Sequence, residues 1–313
     1  MSAGSTVTVA QGNQSQLLIK KQTALGTVAT GNFNQTRFQT HDIRTSIGTL
    51  QNNEIRNDRE VQDVRHGNRH GTANIVSPLM YGDHDTLIES AMFNTFGSDS
   101  LRLGTDPQYL SVEDAQTDIS QYRLGCDLIC NTMSINVSAT ATEPVQATWD
   151  LIGTDVGDPQ STSQGGTPIL PSDNSPFDQF TGSLYDDDAL SGAEVGVVTA
   201  MDFTINNNVA PVFVVGQKTA PFLEFGRAEV TGNLSIYYND TRWLDRFLNE
   251  TEVPLLLTLT DPDGNSMEFR FPRIKLLDGG VPVANEQSRV ITAPFQALRE
   301  KTAGGSALQI TKA

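Results

Sequence analysis

Apolar and polar residues alternate with a period of two along much of this chain, and that alternation predicts strands. Met133, Ile135, Val137 and Ala139 share one face of a strand that starts near Arg123, and Ala147, Trp149 and Leu151 share one face of Gln146–Ile152. Val197–Ile205, Phe222–Val230, Gly232–Tyr238, Leu255–Thr260 and Val290–Leu298 read the same way. Asp261-Pro262-Asp263-Gly264 is a strong turn that closes a hairpin onto Met267–Phe271. Nearer the start, Leu17-Leu18-Ile19 predicts a short strand. Strand pairing is expected around 43–50, then a long loop, then a strand at 71–80. The period changes to that of a helix twice. Leu87, Ile88, Ala91 and Met92 predict a helix over 85–94, with Asp83 or Asp85 as N-cap. Trp243, Leu244, Phe247 and Leu248 predict another over 240–249, all four facing inward.

These elements come in the same order twice. Gly71-Thr72-Ala73-Asn74-Ile75 is followed by the helix Asp85–Asn94, and Gly232-Asn233-Leu234-Ser235-Ile236 by the helix Asp240–Asn249. An Asn-bearing turn precedes each copy, Asn52-Asn53 and Asn206-Asn207-Asn208, and Val290–Leu298 matches Gln146–Ile152. A repeat of this length reads as a duplicated domain. The expected organisation is an N-terminal arm or strand over 1–36, a first domain over 37–153, a linker or loop over 154–196 and a second domain over 197–313. The linker is rich in Gly, Pro, Ser and Asp, with Ile169, Leu170, Phe177 and Phe180 as its apolar anchors. The fold class is α+β, mainly β.

Composition narrows the class further. With 37% hydrophobic and 7% aromatic residues in 313, the chain suits β-rich domains with much interface surface better than a large α/β enzyme. No apolar run reaches the roughly 18–20 residues of a membrane span. Met1-Ser2-Ala3-Gly4 lacks the basic and apolar regions of a signal peptide, so no export step is expected. Cys126 and Cys130, four apart on a strand, would lie roughly 13 Å from each other, too far for a disulfide. Free buried thiols are expected. The net charge is −16, and no lysine or arginine occurs from Leu124 to Gln217. Such a surface repels nucleic-acid phosphate. Ordinary solubility is the plainer reading; a surface that has DNA nearby without binding it is the sharper one.

Candidate chemistry is sparse. His66 and His70 are four apart, but two glycines argue against a helix there and no zinc-protease glutamate accompanies them. Asp83-His84-Asp85 lacks a nucleophile elbow, and Asp186-Asp187-Asp188 lies in the linker rather than on the rigid walls a glycosidase needs. No catalytic residue, metal site or cofactor is expected. The densest charge lies in the long loop: Glu54, Arg56, Asp58, Arg59, Glu60, Asp63, Arg65 and Arg69. Mixed signs without stacking aromatics suit a polar contact between subunits better than a nucleic-acid patch.

At these residues the chain resembles phage major tail proteins, the tail tube proteins of long-tailed phages. The resemblance is carried by Asn53–Arg59 leading into Arg65-His66-Gly67, by Gly71 and its strand, and by the helix Leu87–Phe93. It continues in Gly226–Gly232, Asn239-Asp240 and Phe247-Leu248-Asn249-Glu250, so it spans about residues 37–300. It implies a structural subunit, not an enzyme, with two tandem domains that are each a β-sandwich or partial barrel with a flanking helix and that stack as six-fold rings with a continuous inner barrel. Two domains per chain imply three chains per ring. It further implies a virion tail assembled in the host cytoplasm, a tape-measure protein and tail-end proteins as partners, and viral DNA that passes without specific binding. The duplication points to a non-contractile siphophage tail. A contractile-tail or secretion-system tube, and a receptor-binding or decorating virion protein, are the alternatives. The lumen is expected to be lined by the polar faces of Asn131–Ala139 and Gln146–Asp150, and by the matching faces of Leu255–Thr260 and Val290–Leu298.

Overall fold

Period-two alternation becomes long antiparallel strands throughout the computed structural model, which describes residues 9–55, 57, 59–186, 198–280 and 288–313. The strands of the first part are β1 Ser15–Lys21, β2 Asn34–Thr36, β3 Thr40–Gln51, β4 Val64–Pro78, β5 Ser100–Arg102, β6 Leu110–Gln116, β7 Gln121–Ser138, β8 Gln146–Gly153 and β9 Asp155–Val156. Helix α1 is Asp85–Met92. The second part holds β10 Ser183–Tyr185, β11 Val198–Asn206, β12 Val209–Val212, β13 Phe222–Phe225, β14 Glu229–Tyr237, β15 Val253–Thr260, β16 Ser266–Leu276, β17 Val290–Ala297 and β18 Gln309–Lys312, with α2 at Arg242–Leu248. The fold is α+β and mainly β.

Pairing is antiparallel in the order β3-β4-β8-β7-β6-β1, and again in the order β11-β14-β17-β16-β15-β10. The two orders match strand for strand. They join because β7 is long. Its first half pairs with β6, while its second half lies between β8 and β11. One 16-stranded sheet therefore runs through both parts, and β12 and β13 form a separate hairpin.

The main core lies on one side of β4, β8, β7, β11, β14, β17 and β16, and a small second cluster of Leu18, Ala29, Phe33 and Ala115 packs on the other side of β1 and β6. Ala73, Ile75, Met133, Ile135, Ala147, Trp149 and Leu151 are buried in the same cluster as Phe203, Leu234, Phe271 and Phe295. Helix α1 buries Leu87, Ile88, Ala91 and Met92, as its spacing predicts. Ser90 ties it down: the hydroxyl accepts from the Cys130 amide at 3.0 Å and donates to the Gln108 carbonyl at 2.9 Å. Helix α2 buries only Trp243 fully, beneath the Arg246 guanidinium 4.7 Å from its ring.

The structure departs from the sequence reading in several places. Strand β4 begins at Val64, so the loop is shorter than expected and ends at Asp63. Phe222–Val230 is not one strand: the chain leaves β13 after Phe225 and starts β14 at Glu229. Leu248 points to solvent rather than inward, at 65% exposure. Of the expected linker anchors only Phe177 is buried, while Ile169, Leu170 and Phe180 are exposed. The polar backbone of that segment anchors it instead. Ile169 and Gly165 bond the backbone at Phe33, and Glu113 accepts from Ser163 and Gln164 at 2.5 and 2.7 Å. Leu17, Leu18 and Ile19 are fully buried in β1, so this strand belongs to the core. The N-cap of α1 is His84, without a side-chain capping bond.

His84 is fully buried, stacked 4.9 Å from Trp149 and 2.8 Å from the Ser77 hydroxyl. The Met80 amide donates to its Nδ1, which places the proton on Nε2 in the neutral ring. Burial lowers its pKa to about 4. In the unfolded chain the ring takes up a proton near pH 6.5, so below that pH the unfolded state binds more protons and stability falls until about pH 4. Over that window the loss is about 3 kcal/mol. Thermal melts of the wild type and of His84→Gln from pH 7 to pH 4 should converge as the pH drops; parallel curves would contradict this assignment.

Candidate functional site

The side of the sheet opposite the core is polar across eight consecutive strands, in the order β3-β4-β8-β7-β11-β14-β17-β16. One row of directly paired residues crosses all of them: Thr40, Val76, Thr148, Ser134, Thr204, Thr231, Gln296 and Lys275. A second row runs Asp42, Asn74, Asp150, Thr132, Asn206 and Glu229, and a third carries Gln146, Asn136, Asp202 and Asn233. None of these side chains is buried. Small hydroxyls and amides hold one another across the strands. Asn74 Nδ2 donates to Asp150 at 2.6 Å, Asn233 Nδ2 donates to Asp202 at 2.9 Å, and the Ser134 and Thr204 hydroxyls lie 2.9 Å apart.

The charge on this face is acidic. Asp42, Asp150, Asp202 and Glu229 stand on it, and the cations Arg44, Lys275 and Arg273 each sit beside a carboxylate, Asp42 at 3.3 Å, Glu250 at 2.6 Å and Glu252 at 2.6 Å. Not every carboxylate of the lysine- and arginine-free run belongs here. Asp127 is buried and accepts from the Gly26 amide and the Thr154 hydroxyl. Asp155 pairs with Arg69 at 2.9 Å. Asp186 holds α2 through Arg242 and Arg246, at 3.2 and 2.9 Å. Asp187, Asp188 and Glu194 lie outside the described residues. Strand β15, which holds Leu255–Thr260, pairs with β16 beyond the eight-strand run.

The charged segment divides into two. Glu54, Arg59, Glu60 and Asp63 are exposed on the loop between β3 and β4, closed by a bond from the Asn52 amide to the Asp63 carbonyl. Arg56 and Asp58 lie outside the described residues. Arg65 and Arg69 are on β4 itself, Arg65 opposite Leu50 and Arg69 opposite Ile47. The Arg69 amide also donates to the carbonyl of Lys218, on the loop that joins β12 to β13, at 2.7 Å.

The remaining reactive groups have structural roles. Cys126 and Cys130 are free, but only Cys130 is fully buried. Burial pushes the Cys126 thiol up to about 11 and that of Cys130 higher still, so neither is a thiolate at neutral pH. Ser77 and His84 are within hydrogen-bond reach, yet both are 0% exposed and no substrate could meet them. His66 and His70 lie on β4, and no group of three or more His, Cys, Asp or Glu residues suited to a metal occurs among the described residues.

A family model described as phage tail tube protein matches residues 12–297, nearly the whole of this sheet and both helices. The chain belongs to the phage tail tube protein family. Membership makes it a component of the virion tail and a structural tube protein. No curated protein sequence matches the chain.

Proposed function

We propose that this chain is the ring subunit of a phage tail tube, that three copies close each ring with pseudo-six-fold symmetry, and that the eight-strand polar face lines the channel for DNA. The two matching pairing orders are read as two copies of one tube domain, joined by the 154–196 segment. The observation that carries the proposal is the continuous run of eight strands with one apolar and one polar face. Strands lie about 4.8 Å apart, so eight of them span roughly 38 Å of arc. Three chains then give a circumference of about 115 Å, and more once the strands tilt, which is a backbone diameter of roughly 37–48 Å. Side chains reduce this to a bore wide enough for a duplex about 20 Å across. One chain alone supplies a third of the wall. Rings stack head to tail, a tape-measure protein occupies the lumen before DNA does, and the tube is assembled in the host cytoplasm. The duplication favours a non-contractile tail. The protein acts without catalysis.

The Asn52–Asp63 loop is assigned to contacts between neighbouring subunits or rings, with Arg65 and Arg69 at its base. Reversing Arg56 and Arg59 to Glu should at least roughly halve the yield of tubes in electron micrographs while leaving the monomer's melting temperature unchanged. Tubes at wild-type yield would remove the loop from the interface. The proposal as a whole is tested by mass measurement of assembled rings, where three chains are expected and one or six contradict it.

A further inference from the structure

Within the chain, the connection that follows β11 closes over the other half. Asn207, buried at 2% exposure, donates its side-chain amide to the carbonyls of Ala91 and Cys130, each at 2.9 Å. The β12–β13 hairpin then lays Val209 and Leu223 against Phe93 and Ile129. Phe225 meets Phe93 edge-on, with ring centroids 5.2 Å apart. A long strand-to-strand connection thus covers the C-terminal end of α1 and the strand beside it.

The matching pairing orders give this contact a counterpart at the chain's two opposite ends. β3 corresponds to β11, so Asn52–Asp63 corresponds to the connection that carries β12 and β13. Helix α2 corresponds to α1, and Leu248 is the last residue of α2 as Met92, beside the C-cap Phe93, is the last of α1. Met92 and Phe93 are 0% and 8% exposed, whereas Leu248 is 65% exposed. Leu277, on the segment that passes α2 at Gly279 and Phe247, is 54% exposed. On the other counterpart, Leu50 is 63%, Ile55 101% and Val61 60% exposed. Positions that are filled and dry at the internal junction are open at both ends of the chain, and each open surface exposes apolar side chains among its charged ones.

We propose that the Leu50–Val61 connection of one copy docks on the α2 end of the next copy, against Leu248 and Leu277, repeating between chains the packing that β12–β13 makes on α1 within one. The occupant is a second copy of this chain, and the contact is heterologous, joining unlike ends in the way that closes a ring. The proposal rests on the ring reading and adds which surfaces form the seam.

The test is a benzophenone photocrosslinker at Leu248 in the full chain, with isotopically heavy and light protein mixed before assembly. Mixed-isotope cross-links from Leu248 to peptides within 47–64 are expected. Cross-links confined to other regions, or none in assembled material, overturn the seam. Leu248→Asp with Leu277→Asp should raise the concentration needed for assembly by at least about tenfold. Leu170→Asp, at an equally exposed linker position, should not, and unchanged assembly of the double variant also overturns the seam. The two readings fail differently: rings of three whose Leu248 cross-links elsewhere sink the seam alone, and a wild-type protein that never assembles sinks both.

Discussion

Alanine in place of Phe203 is expected to lower the unfolding free energy by about 3–5 kcal/mol, among the largest losses any single truncation in this chain can produce. The ring lies on β11, 1% exposed, where the second pairing order meets the first across β7. Its neighbours are Phe269 at 5.2 Å and Phe271 at 5.1 Å between centroids, and Phe271 in turn meets Phe295 at 5.9 Å. Removing it opens a cavity at the start of an aromatic chain that spans β11, β16 and β17, and close packing leaves little room for relaxation. Phe203→Leu keeps most of the volume and should cost clearly less. Denaturant unfolding of the three proteins measures the difference. An alanine variant within 1 kcal/mol of the wild type would show that this cluster is not central to the core of the second part.

The second large effect concerns the polar face. Asp150→Lys combined with Asp202→Lys changes the charge at the centre of the eight-strand run, where no lysine or arginine stands on β8, on β11 or on β7 after Arg123. Assembled tubes of this variant are expected to retain duplex DNA, with affinity that falls steeply as salt rises. Each phosphate neutralised adds about 0.9 to the slope of log affinity against log salt, so a ring carrying several new cations should lose orders of magnitude between 50 and 200 mM. Wild-type tubes should retain none at physiological salt. The same substitutions are surface changes on exposed strand positions and should leave the fold intact. A variant that binds no better than wild type would mean that this face does not meet the DNA.

Much of the framework was legible from the chain itself, because strands with one dry and one wet face must alternate. Ala147, Trp149 and Leu151 are buried together on β8, and the turn at Asp261–Gly264 closes β15 onto β16. Helix α1 was legible for the same reason at a different period. What failed were apolar residues whose partners are not set by period. Leu248, Ile169, Leu170 and Phe180 look like core residues in sequence but are exposed, and hydrophobicity cannot say whether a residue meets its own core or another surface. The break between β13 and β14 was hidden because Phe222–Val230 keeps its alternation through the bend. The polar face could be guessed one strand at a time. Its extent could not, since only the joining of β11 to β7 places Asp202 beside Asn136 and carries the surface through both parts. The loop residues Glu54 to Asp63 were visible as a charge cluster, but Arg65 and Arg69 were misplaced in it because Gly67 and Gly71 read as breaks within what is a continuous strand.

The account stands or falls on a map of the assembled tube from electron cryo-microscopy. It predicts three chains per ring, a lumen walled by β3, β4, β8, β7, β11, β14, β17 and β16 from each, and Asp150, Ser134, Thr204 and Asp202 facing the bore. Rings of six chains, or a map with that face on the outside of the tube, would contradict it.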